Sequence, residues 1–209
     1  LRDLEALGAW PDAIAAQLRP LGLPAGATRA LDLACGKGAV ALELAETLGF
    51  RVDGVDRMVP FIEHARRRAV ERGVAHLCRF EVGDLRDALA RARDYDVVVY
   101  AALGGLLGGP RALISALRGA VRPHGYMVID EGFLASPDIA PRPGYELYRT
   151  RDAMLEELTS LGDVLVGELV PSEEEVRARH AAELAALTRA AEDLARARPG
   201  QAAAIGAYL

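Results

Sequence analysis

The chain has 209 residues, of which 51% are hydrophobic, and it carries a formal net charge of −5 with a pI near 5.5. A negative net charge gives no general attraction for phosphate backbones, so nucleic acid is not an expected partner. The longest uncharged stretch, residues 97–110, is shorter than the roughly 20 residues that a membrane-spanning helix needs. A membrane is therefore not an expected partner either.

The two cysteines, Cys35 and Cys78, lie far apart in the chain and lack the spacing of a metal site or of a disulfide framework. The first residues, with Asp3 and Glu5, do not form the pattern of a signal peptide. We therefore expect a cytoplasmic protein that holds no metal.

A short helix is predicted over Pro11–Leu18. From Arg29 to Glu131, short apolar runs then alternate with helical patterns, which is typical of a parallel sheet flanked by helices. The predicted strands are Ala30–Ala34, Val52–Val55, Leu77–Val82, Asp96–Ala101 and Tyr126–Asp130. The predicted helices between them cover residues 39–48, 60–72, 85–92 and 111–121.

The C-terminal part is predicted to contain a helix over residues 151–161 and a sixth strand over Asp163–Val170. The spacing of Ser172 and Glu175 is that of a capping box, which begins a long helix that ends before Pro199. A helix of this length can cover the ligand cleft as a lid or pair with a second subunit. Both a lid and a homodimer contact stay open.

These elements predict an α/β fold with a doubly wound, mostly parallel sheet of six or seven strands and a C-terminal helical extension. The predicted division is an N-terminal helical cap of residues 1–24, a ligand-binding domain of residues 25–170, and a helical lid or dimerisation segment of residues 171–209.

The most informative stretch joins the first predicted strand to the next helix through a turn that contains Gly36 and Gly38. Glycine there lets a ligand approach the bare backbone at a helix N-terminus. Residues 36–41 also satisfy the dinucleotide fingerprint G-x-G-x-x-G/A. Asp32 argues against a dinucleotide, because a carboxylate repels a pyrophosphate but can hold an ammonium group. A P-loop is excluded, because Lys37 is followed by glycine rather than by serine or threonine.

Two more acids end the next two predicted strands, Asp56 and Asp84. Together with the turn, they carry a resemblance. The segment Asp32–Gly38 resembles motif I of the class I S-adenosylmethionine-dependent methyltransferases, whose usual form is acid-x-Gly-x-Gly-x-Gly. Ala34 stands in place of the first glycine, which adds a methyl group where the backbone approaches the ligand.

The resemblance implies a Rossmann-like methyltransferase fold, S-adenosylmethionine as cofactor and S-adenosylhomocysteine as product. In that family the acid that corresponds to Asp56 accepts hydrogen bonds from the ribose hydroxyls, and the acid that corresponds to Asp84 receives the adenine amino group. The expected cofactor-binding residues are Asp32, Ala34, Cys35, Gly36, Gly38, Asp56, Arg57, Met58, Gly83, Asp84, Leu85 and Ala101. In-line methyl transfer depends mainly on positioning and on exclusion of water.

The resemblance places the acceptor at the exit of the fourth strand, which lacks the Asn-Pro-Pro-Tyr type motif of enzymes that methylate nucleic-acid bases. The candidate acceptor pocket combines carboxylates with aromatic rings: Asp130, Glu131, Phe133, Tyr145 and Tyr148. Such a pocket suits a cationic or amine-bearing small molecule. The candidate catalytic residues are Tyr100, Glu131 and His180, and the histidine would act as a general base.

Alternative readings stay open for these acids. Asp56 and Asp84 both precede helical patterns, so each could be a helix N-cap, and Asp130 and Glu131 could cap a loop. For the whole chain we expect a methyltransferase that acts on a nitrogen or oxygen nucleophile of a small molecule. The alternatives are an NAD-dependent oxidoreductase, which the glycine fingerprint and Asp56 would also suit, and a non-catalytic protein that binds S-adenosylmethionine.

Overall fold

A computed structural model of the chain describes residues 4–6, 8–138 and 145–201. Contacts group these residues into two compact units. The larger unit comprises Ala6–Glu168, and the smaller comprises the described residues from Leu169 onward together with Leu4 and Glu5. The predicted division at residues 24 and 170 stays a prediction, and the last residues of its C-terminal segment lie outside the described part of the chain.

The larger unit alternates helices and strands through most of its length. In chain order its elements are α1 (Pro11–Leu18), β1 (Arg29–Leu33), α2 (Ala39–Leu48), β2 (Arg51–Asp56), α3 (Val59–Glu71), β3 (Cys78–Val82), α4 (Leu85–Arg91), β4 (Tyr95–Ala101), α5 (Pro110–Arg118), β5 (Val121–Asp130) and α6 (Arg151–Thr159). The smaller unit contains α7 (Glu173–Ala197).

The five strands of the larger unit form one parallel sheet in the order β3-β2-β1-β4-β5. From β1 the chain continues to β2 and then to β3 on one side. It then crosses over to the other side of β1, where it forms β4 and β5. A parallel sheet with such a reversal has a crevice between β1 and β4, at the carboxyl ends of the strands. The register aligns those ends, because Asp56 pairs with Val82 and Ala101 pairs with Asp130.

Helices cover both faces of the sheet, and each face has its own apolar core. Alternate residues of β4 explain the division. Val97 and Val99 pack in the core that includes residues of α1, α2 and α3, whereas Val98 and Tyr100 pack in the core that includes residues of α4 and α5. All four side chains are fully buried, as expected for a central strand of a parallel sheet.

Prolines lie in the first turn of several helices. Pro60 and Pro110 lie in the first turn of α3 and α5, and Pro11 does the same in α1. The first-turn N–H groups have no intrahelical acceptor, so proline costs no hydrogen bond there. The capping box of α7 is confirmed as well: the Ser172 hydroxyl accepts the Glu175 N–H, and the Glu175 side chain accepts the Ser172 N–H.

The predicted strand count was wrong for the described part of the chain, where the sheet has five strands rather than six or seven. The predicted sixth strand, Asp163–Val170, has no ladder partner among the described residues. Its aliphatic side chains gave the strand-like pattern, yet Val164 is 81% exposed. Ion pairs hold this segment instead, from Arg118 to Asp163 and from Arg151 to Glu168.

The boundary between α5 and β5 also differs from the prediction. The helix expected over residues 111–121 ends at Arg118, and β5 begins at Val121 rather than at Tyr126. Proline and glycine at positions 123 and 125 resemble a turn in the sequence. In the structure they lie in a strand at the sheet edge, beside a register irregularity between Tyr95 and Val97. Edge strands and bulges tolerate both residue types.

Candidate functional site

The turn after β1 is built from left-handed backbone. Ala34, Gly36 and Gly38 have φ angles of +50°, +55° and +81°. The Cys35 N–H donates to the Val55 carbonyl at 2.9 Å, and the Gly38 N–H donates to the Cys35 carbonyl at 2.8 Å. The first bond ties the turn to β2, and the second closes it just before α2 begins. The result is a backbone-lined turn at a helix N-terminus, which suits a polar ligand.

Gly38 is required for packing as well as for its φ angle. A Cβ atom at this position would lie 2.9 Å from the Ala65 Cβ and 3.0 Å from the Phe80 ring. Real Cβ atoms do not approach other carbon atoms so closely, so only glycine lets α2 start this near to α3 and β3.

Asp56, at the end of β2, is buried and binds two backbone N–H groups. Its Oδ2 accepts the Gly36 N–H at 2.9 Å, and its Oδ1 accepts the Met58 N–H at 2.8 Å. The carboxylate thus links the glycine turn to the segment before α3. Each carboxylate oxygen keeps a further lone pair that a ligand hydroxyl can use.

Asp32 is fully buried beneath the turn, and its Oδ2 accepts the Ala41 N–H of α2 at 3.1 Å. Burial raises the pKa of this carboxyl to about 7; the hydrogen bond from Ala41 opposes that shift, and repulsion by Asp56 adds to it. Near neutral pH the side chain therefore exists in both protonation states. Nearby positive charge would favour the ionised state.

The ends of β2 and β3 leave apolar side chains exposed. Met58 is 46% exposed and Val82 is 42% exposed. The Gly83 N–H donates to the Asp56 carbonyl, which joins the two strand ends. Arg57 is exposed, whereas Leu85 is buried in α4. An apolar edge beside paired hydrogen-bonding groups is the kind of surface that a purine ring can cover.

Asp84 is exposed and serves as the N-cap of α4, where its Oδ1 accepts the Arg86 N–H at 2.8 Å. The capping role that the sequence left open is therefore present. Whether the same carboxylate also binds the adenine amino group stays a prediction.

Beyond β4 the chain forms a glycine-rich loop around a cavity. Ala101 is half-buried at the strand end, and Ala102 has a φ angle of +55°. The Tyr100 ring is fully buried, and its hydroxyl donates to the Gly104 carbonyl at 2.6 Å. Burial, followed by repulsion from Glu131, raises the pKa of Tyr100 to about 12. Tyr100 thus fixes the loop through this hydrogen bond. It is not one of the residues that line the cavity.

The cavity has an empty volume of about 360 Å³, part of it open to solvent. Its walls come from the loop after β4, the start of α5, the end of β5, residues 147–149 and α6. Two of the predicted acceptor residues, Glu131 and Tyr148, line it. The Leu103 N–H donates to Glu131 Oε1 at 3.3 Å, and the Tyr148 hydroxyl is hydrogen-bonded to the same carboxyl.

The other predicted acceptor and catalytic residues lie elsewhere. The Asp130 carboxylate accepts the Trp10 N–H at 3.1 Å and so fastens the start of α1 to the end of β5. Phe133 and Tyr145 are exposed and do not line the cavity, although the Tyr145 ring packs edge-on against Tyr148. His180 is exposed on α7, in the smaller unit.

Sequence reasoning missed most of the cavity wall. Leu147, Arg149 and Met154 come from residues that follow β5 by more than fifteen positions. A local signal did exist in the two glycine pairs at positions 104–105 and 108–109, which flank two leucines and mark a loop with little side-chain bulk.

Among the described residues, no cluster of three or more His, Cys, Asp or Glu side chains is arranged to hold a metal ion. In the same part of the chain, no helix combines the length and the apolar character needed to cross a bilayer.

The family model for a methyltransferase domain matches residues 30–125, which contain the glycine turn and the carboxyl ends of β1, β2, β3 and β4. Residues 30–125 therefore resemble a methyltransferase domain, in agreement with the predicted resemblance to the class I S-adenosylmethionine-dependent methyltransferases. The match supports the predicted enzyme class and methyl donor.

A curated relative is the aklanonic acid methyltransferase DauC of Streptomyces sp. strain C5, which is 36% identical over 78 residues. The match covers 36% of this chain and 35% of that protein, so it spans about a third of the relative's length.

Solved methyltransferase structures share the fold. One from Thiobacillus denitrificans, in complex with S-adenosylhomocysteine, has a TM-score of 0.77 and 24% identity, covering 94% of this chain and 79% of that one. Another from Geobacter sulfurreducens, in complex with the same molecule, has a TM-score of 0.79 and 23% identity, covering 98% and 83%. These similarities confirm the Rossmann-like methyltransferase fold.

The site fits the family's cofactor on three observations. The turn at residues 34–38 leaves its backbone open, Asp56 has lone pairs for two hydroxyls, and Met58 and Val82 form an exposed apolar edge. When bound, S-adenosylmethionine supplies a methyl group on a positively charged sulfur. The ionised form of Asp32 beneath the turn would favour that charge.

Proposed function

We propose that this chain binds S-adenosylmethionine at the carboxyl ends of β1, β2 and β3. The methyl group is transferred to a nitrogen or oxygen atom of a small molecule that binds in the cavity beside β4 and β5. The observation that carries the proposal is that the turn after β1 and the cavity after β4 and β5 both lie at the carboxyl ends of strands of one parallel sheet. A donor in the turn and an acceptor in the cavity would meet there, which is the arrangement that in-line transfer needs.

The relatives support both halves of this proposal. The two solved neighbours named above were crystallised with S-adenosylhomocysteine. The curated relative carries a small organic acid in its name, which supports a small-molecule acceptor rather than nucleic acid. Cys35 and Cys78 are both free thiols, which supports our placement of the protein in a reducing cytoplasm.

The site proposal is tested by S-adenosylhomocysteine binding to the wild type and to Asp56→Ala. Hydrogen bonds to a charged group are each worth about 1.5–3 kcal/mol, so we expect the variant to bind at least about ten-fold more weakly by calorimetry. Because Asp56 also accepts the Gly36 and Met58 N–H groups, the variant should melt at a lower temperature, and binding is therefore compared well below its melting point.

Glu71→Ala is the matched control, since Glu71 is an exposed carboxylate at the end of α3. It should bind like the wild type. An unchanged affinity in Asp56→Ala would contradict the ribose assignment. A thermal shift of the wild type with NADH, but none with S-adenosylhomocysteine, would favour the oxidoreductase alternative instead.

A further inference from the structure

The cavity beside β5 is lined by one carboxylate, Glu131, whose interactions differ in kind from those of the neighbouring arginine. Arg149 also lines the cavity, but its Nε donates to Glu157 Oε1 at 3.1 Å, and its Nη1 donates to the carbonyls of Glu146 and Tyr148. The groups that act on Glu131 are of another kind: backbone N–H groups, the Tyr148 hydroxyl and the repelling carboxylate of Asp130.

Apolar groups form much of the remaining wall. Leu113, Leu147 and Met154 contribute aliphatic or thioether side chains, and Gly105 and Gly132 contribute bare backbone. A Cβ at Gly132 would lie 3.1 Å from the Tyr148 ring, so glycine lets that ring lie against the chain. These walls fit a small molecule with an apolar body.

The Glu131 carboxyl is held in place and is able to exchange a proton. The Leu103 N–H and the Tyr148 hydroxyl both bind it, which fixes its direction. Burial is the largest cause that raises its pKa to about 7; backbone N–H donors oppose the shift and Asp130 adds to it. The pKa of Glu131 is therefore close to neutral pH, where a general base with such a pKa works best.

We propose that the acceptor is a neutral hydroxyl compound with an apolar body, a phenol or an enol, and that Glu131 is the general base that takes its proton. This inference rests on the proposed function. A neutral hydroxyl keeps its lone pairs while it still carries its proton, so it can attack as the base removes that proton.

An amine acceptor fits the same carboxylate less well. At neutral pH an aliphatic amine is an ammonium ion, which has no free lone pair. Glu131 would form an ion pair with it and so stabilise the unreactive form. The cationic acceptor that the sequence suggested is for this reason replaced by a neutral one.

The chemical step balances with the groups already named. The acceptor oxygen forms a bond to the methyl carbon while the bond from that carbon to sulfur breaks, and its electron pair passes to sulfur. The acceptor proton moves to the Glu131 carboxylate, which later releases it to solvent. The positive charge of the sulfonium and the negative charge of the carboxylate disappear together, and no redox partner is needed.

The first test compares turnover of 1-naphthol with turnover of 1-naphthylmethylamine, an aliphatic amine that is an ammonium ion at neutral pH, together with a panel of substituted phenols. The enzyme forms are the wild type, Glu131→Gln and the control Glu156→Gln, which changes an exposed carboxylate of α6. For phenols we expect Glu131→Gln to lose about 100-fold or more in kcat/KM, and the control to match the wild type. With saturating S-adenosylmethionine, whose positive charge favours ionised Asp32, the wild-type kcat/KM for the phenol should fall below about pH 7. This inflection should be absent in Glu131→Gln.

A second substrate separates a base from a merely structural carboxylate. 4-Nitrophenol is ionised in mild alkali and needs no base, so it should restore most of the lost rate to Glu131→Gln. An equal loss with neutral and ionised phenols would overturn the proposal. So would turnover of 1-naphthylmethylamine alone, or of no phenol in the panel.

Binding of S-adenosylhomocysteine is measured in parallel on all three forms. If the wild type binds it but methylates no phenol, the acceptor class is wrong while the proposed cofactor site stands. If the wild type does not bind it, the proposed function itself fails, whatever the acceptor results.

Discussion

The two buried acidic residues of the turn region, Asp32 and Asp56, differ in the number of backbone N–H groups that they accept. Asp56 accepts two backbone N–H groups at 2.9 and 2.8 Å. Asp32 accepts one and is buried beneath the turn, so that its pKa rises to about 7. A carboxyl with such a pKa can become ionised when a positively charged ligand binds above it. That property makes Asp32 sensitive to pH as well as to cofactor.

The stability of the folded protein should carry the signature of Asp32. Its ordinary pKa is 3.8 and its folded value is about 7, so between these values the native state holds the proton more tightly than the unfolded state. Its contribution is fully present below about pH 4 and is lost as pH rises through about 7. We expect the free energy of unfolding of the wild type to fall by roughly 1–3 kcal/mol more than that of Asp32→Asn between about pH 5 and pH 8.

Urea denaturation at the two pH values measures this difference. Glu131 contributes in the same direction in both proteins, and so the comparison with Asp32→Asn isolates Asp32. Asp87→Asn, at an exposed site in α4, should follow the wild-type trend. Parallel trends in wild type and Asp32→Asn would show that Asp32 is already ionised in the native protein at low pH.

At the scale of elements, the approach of α2 to α3 and β3 depends on one glycine. Gly38 and Gly73 both have left-handed φ angles, of +81° and +72°. An added Cβ at Gly38 meets the Ala65 Cβ at 2.9 Å and Phe80 at 3.0 Å, whereas nothing lies within 4 Å of one at Gly73. The two positions share the backbone strain and differ in packing.

The variants Gly38→Ala and Gly73→Ala should separate those two effects. We expect Gly73→Ala to lose about 1–2 kcal/mol of unfolding free energy through the left-handed backbone alone. Gly38→Ala should lose about 1–3 kcal/mol more because α2 must shift. Urea denaturation of both variants gives the comparison, and equal losses would contradict the close packing at Gly38. S-adenosylhomocysteine binding should weaken only in Gly38→Ala.

The elements of the sheet could be predicted from sequence where burial on both faces imposed long apolar runs. Residues 97–100 of β4 are such a run. The prediction failed for Asp163–Val170, because local apolar spacing does not show whether a partner strand is available. Register and pairing are long-range properties, which a local pattern does not contain.

The candidate site was predictable to the extent that it follows strand ends. The turn at Ala34 and the side chains of Asp32 and Asp56 lie together because parallel strands bring their carboxyl ends to the same edge of the sheet. The cavity wall formed by Leu147 and Met154 was not predictable, since a long connection returns those residues to the end of β5.

At the scale of the whole molecule, α7 is the element whose function the methyltransferase domain does not explain. Its 25 residues carry an apolar stripe that includes Val176, Leu184 and Leu187. Leu184 is 56% exposed, and Leu194, further along the helix, is 43% exposed. Apolar positions at helical spacing normally gain a buried partner. A lid over the acceptor and a seam between two subunits are the two candidates, and we favour the lid.

The substitution Leu187→Asp distinguishes a lid from a seam. For a lid, it should leave S-adenosylhomocysteine binding intact and abolish methyl transfer, because water would enter the closed site. Hydrogen exchange across residues 173–197 of the wild type should also slow when S-adenosylhomocysteine and 1-naphthol are added together. For a seam, the wild type should sediment as a dimer and Leu187→Asp as a monomer, whether or not ligand is present. Unchanged exchange with ligand, together with loss of a dimer in the variant, would reverse our choice, because burial of the stripe would then depend on the second subunit rather than on the acceptor.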